Sequence, residues 1–567
     1  MEYLAKALQA YKELLSSENV VVDQTSISAA ETATFATDQK VLAIIRPGNR
    51  AEVQECVRIA NKYKIPIYPV STGKNWGYGS RVPTQDGCVI MELSRLNRIV
   101  DYNEKLAYVT VEAGVTQGQL FEFLQKHQSN LMMSVTGSAS DSSLVGNILE
   151  RGIGKGPYGD RFAHVCGFEV VLPTGEVIHT GFDRFANAKA AKVNRWGIGP
   201  YLDGIFTQSN FGIVTQMTIW LIAQPQYFQS FFYSLQDDSA FEEFIDTLQN
   251  LKLQGLLRNS FVIFNDYRML STKQQYPWKD TNEKTPLPED LMPKLRKAWG
   301  GGLWIGEGAL YSASKEQGQI ERKLIQRALK KTVNKIVFFD ERKAKILEII
   351  RPIYKLITGV DLRGIIDFFY NKNLQRGIPT DKVISMAYWR KREPVPSDMN
   401  PDRDRCGLIW LAPSVPFDGK HVKTALKIIE EIAIRYQFEP NIGLQCVTER
   451  SIDMTVAIVY DRDVPGEDER AIACHDEMMQ KLILEGYIPY RLTTSAMNSL
   501  PTPKDDYGKL LQELKRALDP NNILAPGRYD FQQDWPDKFD FRKYYDHSVA
   551  LASQTLRKSS EEIAQDR

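Results

Sequence analysis

A strand that runs straight into a glycine-rich turn constrains this chain more than any other feature. From Val41 to Ile90 the order is a short apolar strand, a Pro47-Gly48 turn, the helix-like AEVQECVRIANKY, the strand IPIYPV and then STGKNWGYG. Hydrophobic periodicity and turn residues together predict a strand-helix-strand unit whose last strand delivers a tight loop. Glycine permits the close approach and unusual dihedrals that let successive backbone N–H groups converge on phosphate oxygens. The stretch from Pro69 to Gly79 is therefore a candidate pyrophosphate cradle, with a purely structural turn as the alternative. Its spacing is neither G-x-G-x-x-G nor the Walker pattern, which disfavours a Rossmann site.

The chain has 567 residues, and one hydrophobic core stops growing at roughly 250–300. Two lobes are expected. Residues 1–225 read as α+β: VIMEL, IVDY and LAYVTVEAGVT are strands, GQLFEFLQKH is helical, and Thr174-Gly175 in FEVVLPTGEVIHTG is a hairpin turn. Residues 226–490 change to long amphipathic helices such as SAFEEFIDTLQNLKL and ERKAKILEIIRPIYKLI, alternating with the strands GLIWLAP and MTVAIVY. A segment from 491 to 567 follows, helical at YGKLLQELKRALD and polar at its end.

Lys plus Arg number 71 against 70 Asp plus Glu, so no net field draws the chain to nucleic acid or to an anionic membrane. A small partner is expected. Six scattered cysteines fit reduced, buried thiols, and the start MEYLAKALQAYKELL mixes charges into an apolar pattern where a signal peptide or membrane span would not. A cytoplasmic location follows as an expectation. Cys474-His475 lacks the second cysteine of a haem-attachment motif, and the six histidines show no ligand spacing, so no metal is expected.

Two further segments are rich in small residues: VTGSASDSSLVGN from Val135 to Asn147, followed by ERG and GPYGD, and SNFGIVT from Ser209 to Thr215. Backbone of this kind can pass flat against a planar ring system while offering donors to its polar edge, although a plain serine-rich loop reads equally well. Taken together, PVSTGKNWGYG, VGNILERGIGKGPYGDRF, YLDGIFTQSNFGIVTQMTIWL, GIPTDKVISMAYWRKREP and LDPNNILAPGRY occur in the order found in one family. The chain resembles the vanillyl-alcohol oxidase and p-cresol methylhydroxylase family of FAD-dependent oxidoreductases from about Val41 to Tyr529.

The resemblance implies a two-lobed α+β fold: an FAD-binding domain over 1–225, a substrate or cap domain over 226–490, and a C-terminal segment, 491–567, returning to the first lobe. It implies that Ser71, Thr72, Gly73, Lys74 and Asn75 hold the diphosphate. Ser138, Gly146, Asn147, Ile213 and Val214 would line the cofactor, and Arg528 would approach the flavin or its ribityl chain. In phenol-oxidising members two tyrosines and an arginine clasp the phenolic oxygen, and Tyr78, Tyr490 and Arg491 stand at matching positions. A fixed guanidinium and hydroxyl donors favour a phenolate. Its density then lets a hydride leave the para benzylic carbon for the flavin, giving a quinone methide.

Two departures matter. Where some members carry an aspartate that assists water addition, this chain has Ser138, which is no base at neutral pH; Glu449 and Asp453, read as alternating on one strand face, are candidates for that task or simply a solvated or salt-bridged pair. Where many members attach the flavin through histidine or tyrosine, Leu408 stands in RCGLIWLAP, so dissociable FAD is expected; Cys406 is a nucleophile by type, with a buried structural cysteine as the favoured reading. The substrate expected is a 4-alkylphenol or 4-hydroxybenzyl alcohol; a hydroxy acid, sugar or natural-product alcohol, or a flavin-binding module without turnover, are the alternatives. Either O2 or a separate cytochrome would take the electrons, and a homodimer is the default.

Overall fold

A computed structural model describes residues 2–299, 301–358, 362–497, 499–500 and 506–529. The expected strand-helix-strand unit is present: Val41–Ile45, Arg50–Tyr63, Ile67–Val70 and Cys88–Glu92, with the three strands parallel and Cys88–Glu92 in the middle. The helix begins where the Asn49 side chain accepts from the Glu52 N–H, and ends at Lys64 in the left-handed region. Its apolar face, Val53, Cys56, Val57 and Ala60, packs with Ala7, Tyr11 and Leu15 of the helix Glu2–Leu15. A second sheet, antiparallel, runs in the order Ile99–Asn103, Tyr108–Glu112, Ile213–Trp220, Val165–Val171, Val177–His179. The two sheets share one core, which also takes in Ile523 and Leu524 from the end of the described chain.

That return is a backbone pairing. The Ile67 N–H donates to Ile523 at 2.7 Å and the Ala525 N–H donates to Ile67 at 2.8 Å. Beneath it the fully buried Lys515 ammonium donates to Asp519 at 2.6 Å and to the Leu524 carbonyl at 2.9 Å.

Residues 227–461 supply a large antiparallel sheet, ordered Lys335–Asp340, Tyr227–Leu235, Trp304–Ser312, Phe261–Asn265, Asn441–Cys446, Ser451–Asp461, Cys406–Leu411. The two-residue period of its strands sorts it into two faces. Ile409, Leu411, Leu444, Met454 and Val456 face the helices Phe241–Leu253, Gly419–Arg435 and Glu467–Leu484 in one core. Phe264, Glu307, Leu408, Trp410, Gln445 and Thr455 turn the other way and line a cavity.

Candidate functional site

The strand Ile67–Val70 leads directly into the loop from Ser71 to Asn75, whose backbone N–H groups donate to no described residue. Gly73 has φ +71°, where a side chain is strained. Thr72 accepts from the Ser143 N–H at 3.2 Å, and Ser143 caps the short helix Leu144–Leu149. A Cβ on Gly146 would lie 3.1 Å from the Ser71 hydroxyl, so the missing side chain lets that helix abut the loop. Every position that the resemblance gave to the cofactor, from Ser71 through Asn75 and Ser138, Gly146, Asn147, Ile213, Val214 and Arg528, lines one groove. Its wall also holds the Ser209 hydroxyl, buried with no hydrogen-bond partner. Orphaned donors beside a glycine loop fit an anionic cofactor with a polar-edged ring system.

Adjoining the groove is a cavity of about 250 Å³ whose wall includes Tyr78, Tyr490 and Arg491. Residues 412 sequence positions apart meet here because Thr494 donates its N–H to the Tyr78 carbonyl at 3.0 Å and Tyr490 donates its N–H to Ala412 at 3.0 Å. The Arg491 guanidinium lies 4.1 Å over the Tyr78 ring, donates to Asn75 at 2.5 Å and stands 3.6 Å from Glu150. Burial raises the Tyr78 phenol, with Arg491 and a hydrogen bond from Tyr490 pulling the other way. Tyr490 is pushed far above the ordinary phenol range, first by burial and then by Tyr78. Gly77, at φ +77°, leaves room for the Trp410 indole, which a Cβ would strike at 2.1 Å.

Beyond Lys74, Arg491 and Arg528, no sequence motif marks the charged groups in and around these two spaces. Glu150 bridges Arg491 and Arg528; burial works against its charge, yet the two guanidinium groups hold its carboxyl below the usual range. Asp402 lines neither space but accepts from Ser80 of the groove at 2.7 Å and from Trp76 of the cavity at 3.1 Å, while burial lifts its carboxyl to about 6. On the cavity wall stand Arg268, Lys155 and Glu307. No spacing rule marks such groups, because each comes from a different element.

The candidates for assisting water addition are rearranged. Glu449 lies in the turn before the strand Ser451–Asp461 and pairs with the adjacent Arg450, so it shares no strand face with Asp453. The turn is fixed by the Thr448 hydroxyl, which accepts from the Ser451 N–H at 3.2 Å. Asp453 accepts from Ser414 at 2.5 Å, is raised by burial, and lies near enough to raise both Tyr78 and Tyr490. Ser138 shares a hydrogen bond of 2.9 Å with Ser142.

A family profile described as an FAD binding domain matches residues 41–181. The 4-cresol dehydrogenase [hydroxylating] flavoprotein subunit of Pseudomonas putida is 31% identical across 92% of this chain and 95% of that protein. This chain belongs to the vanillyl-alcohol oxidase and p-cresol methylhydroxylase family. The 1'-carboxy-chondrochloren decarboxylase of Chondromyces crocatus is 52% identical across 94% of this chain and 98% of that protein. Substrate-bound p-cresol methylhydroxylase superposes with a TM-score of 0.84 at 29% identity, over 94% of this chain and 98% of that one. The 4-ethylphenol oxidase of Gulosibacter chungangensis gives 0.84 at 26%, over 95% and 98%. As a member of this family, the protein is an FAD-dependent oxidoreductase with the two-lobed α+β fold.

Within the family chain, Leu408 lines the cavity and Cys406, on the same strand face, is fully buried. Burial pushes the Cys406 thiol well above its ordinary range, which removes the thiolate that attack on a flavin requires. All six cysteines are free and buried. Acid precipitation of the holoenzyme is expected to leave the yellow colour in the supernatant and a colourless pellet; a yellow pellet would mean a covalent link. Among the described residues no helix is long and apolar enough to cross a membrane. The C-terminal stretch 530–567 of the expected third segment lies outside the described residues.

Proposed function

We propose that the enzyme oxidises 4-substituted phenols by removing a hydride from the benzylic carbon. The observation that carries this reading is the Arg491 guanidinium stacked on Tyr78, beside Tyr490, in a cavity that adjoins the cofactor groove. A phenol ionises near pH 10 in water. Arg491, held by Asn75 and Glu150, supplies a fixed positive charge for its anion, and the two buried tyrosine hydroxyls remain protonated and able to donate. Bound FAD, held without a covalent link in the groove from Ser71 to Asn75, supplies the hydride acceptor.

Loss of the hydride from the phenolate leaves a neutral quinone methide. Water can add to it, and Asp453, near the tyrosine pair, is the base this reading assigns, since Ser138 cannot serve as one. The chondrochloren relative, named a decarboxylase, favours a second fate. If the carbon next to the benzylic one bears a carboxylate, its C–C electron pair can return to the ring, releasing CO2 and leaving an alkene on a restored phenolate. That route needs no base. Residues 1–225 and 226–490 divide the work into cofactor and cap domains on this reading, and O2 or a separate cytochrome reoxidises the flavin in a homodimer.

The test is anaerobic mixing of the FAD-loaded enzyme with 4-ethylphenol, with 4-hydroxybenzyl alcohol and with 3-(4-hydroxyphenyl)propanoate. Bleaching of the visible flavin band by any of them supports the reading. A flavin that stays oxidised with every phenol but bleaches with a hydroxy acid or sugar overturns it.

A further inference from the structure

Arg268 is 6% exposed and lines the cavity, and among the described residues no carboxylate pairs with it. Its Nη1 donates to Asn441 at 3.2 Å and touches the Met386 sulfur, and its Nε is a buried donor with no partner. Burial alone lowers it, to about 9, with no opposing anion, so it stays charged at neutral pH. It is placed by its backbone: the Arg268 N–H, in the first turn of the helix Asp266–Lys273, donates to the Asn265 cap at 3.0 Å. The guanidinium lies 4.8 Å over the Trp410 indole, the ring whose edge abuts Gly77.

A second cation shares the wall. Lys155, 8% exposed, donates to the Gln445 amide oxygen at 2.9 Å; burial lowers it to about 8, against the pull of Glu307. Glu307 is raised by burial, with Lys155 opposing. The remaining cations of this wall are matched elsewhere: Lys74 pairs with Asp141 at 2.9 Å, and Arg491 with Glu150. Around Arg268, then, two cations meet one carboxylate that burial drives toward its neutral form. A buried guanidinium without a counter-ion costs several kcal/mol by desolvation, and an incoming anion would offset that cost.

We propose that Arg268, with Lys155 beside it, binds a carboxylate of the substrate, so that the cavity selects a phenol whose para side chain ends in or carries a carboxylate. This rests on the phenol reading for the substrate's other end, since Arg491 and Tyr78 take the phenolic oxygen across the Trp410 indole. The two fixed guanidinium groups would then set both the length and the direction of the substrate, and a neutral alkylphenol would leave Arg268 unpaired.

The test is binding to the oxidised holoenzyme, read from perturbation of the flavin spectrum, which needs no turnover. Wild type should hold 3-(4-hydroxyphenyl)propanoate at least about 10-fold more tightly than its primary amide, as expected for one charge-assisted contact in a buried site. In Arg268→Met this carboxylate-to-amide preference should collapse to near unity, and in Lys155→Met it should fall by less. Equal affinity of wild type for acid and amide overturns the proposal even if the variants do not fold. A preference that survives in Arg268→Met also overturns it, because a merely structural role would weaken both ligands together. If no phenol bleaches the flavin, the phenol reading fails, and 3-phenylpropanoate against 3-phenylpropanamide still decides whether the carboxylate site exists.

Discussion

Arg491→Ala is expected to slow anaerobic flavin bleaching by a 4-alkylphenol by about 10²–10³-fold at neutral pH, the scale of losing one preorganised charge partner. The reason is geometric. Arg491 is held on three sides, by the Tyr78 ring at 4.1 Å, by Asn75 at 2.5 Å and by Glu150 at 3.6 Å, so its charge is in place before the phenolate forms. Without it the substrate must ionise unaided. The variant's rate should therefore climb as pH rises toward the ordinary phenol pKa of about 10, while wild type flattens at lower pH. Arg491→Lys keeps the charge but not the planar fork that reaches Asn75 and Glu150 together, and should fall between the two. Stopped-flow absorbance of the holoenzyme across pH checks this. A loss that is the same at every pH would show that Arg491 serves the shape of the cavity rather than ionisation of the substrate.

How much of this was legible beforehand depends on the kind of signal. The loop at Ser71–Asn75 could be read because strand, glycine and small residues lie next to one another in sequence, and the parallel strands around it followed from the helix between them. The family's order of motifs carried Tyr78, Tyr490 and Arg491 to one place, although only tertiary packing, the Thr494 to Tyr78 and Tyr490 to Ala412 backbone contacts, brings them together. Glu449 falls off the strand face because the alternation that holds from Ser451 onward does not reach back two residues into the turn that Thr448 closes. Arg268, Lys155 and Glu307 left no trace at all. They come from a helix start, a loop and a strand, and what makes them notable is their burial side by side, with Lys155 and Glu307 pulling on each other and the Arg268 Nε left without a partner, which is a property of the folded interior.

The same absence of a local signal hides Glu150, whose replacement should have the largest effect on stability. Glu150 sits between Arg491 and Arg528, close against Arg528 and 3.6 Å from the Arg491 Nε. Its Oε2 and the Arg491 Nε are both buried without a hydrogen bond, so that half of the bridge is charge attraction alone. Arg528 also donates to the Tyr68 hydroxyl at 2.5 Å, tying the bridge to the strand that feeds the cofactor loop. Glu150→Gln keeps the shape but leaves two guanidinium groups facing each other with no anion, a change expected to cost about 3 kcal/mol. The sign with pH follows from the carboxyl's depressed value. The stabilisation is complete above the unfolded glutamate pKa of about 4.3, and is lost as pH falls through the lower folded value. Thermal unfolding of wild type and Glu150→Gln should thus differ by a constant amount from pH 8 to roughly 5 and converge only in acid. If the two instead converge as pH rises, the bridge does not depend on an ionised Glu150. Loss of FAD from the variant alone would place its role in holding Arg528 at the groove instead of in the fold.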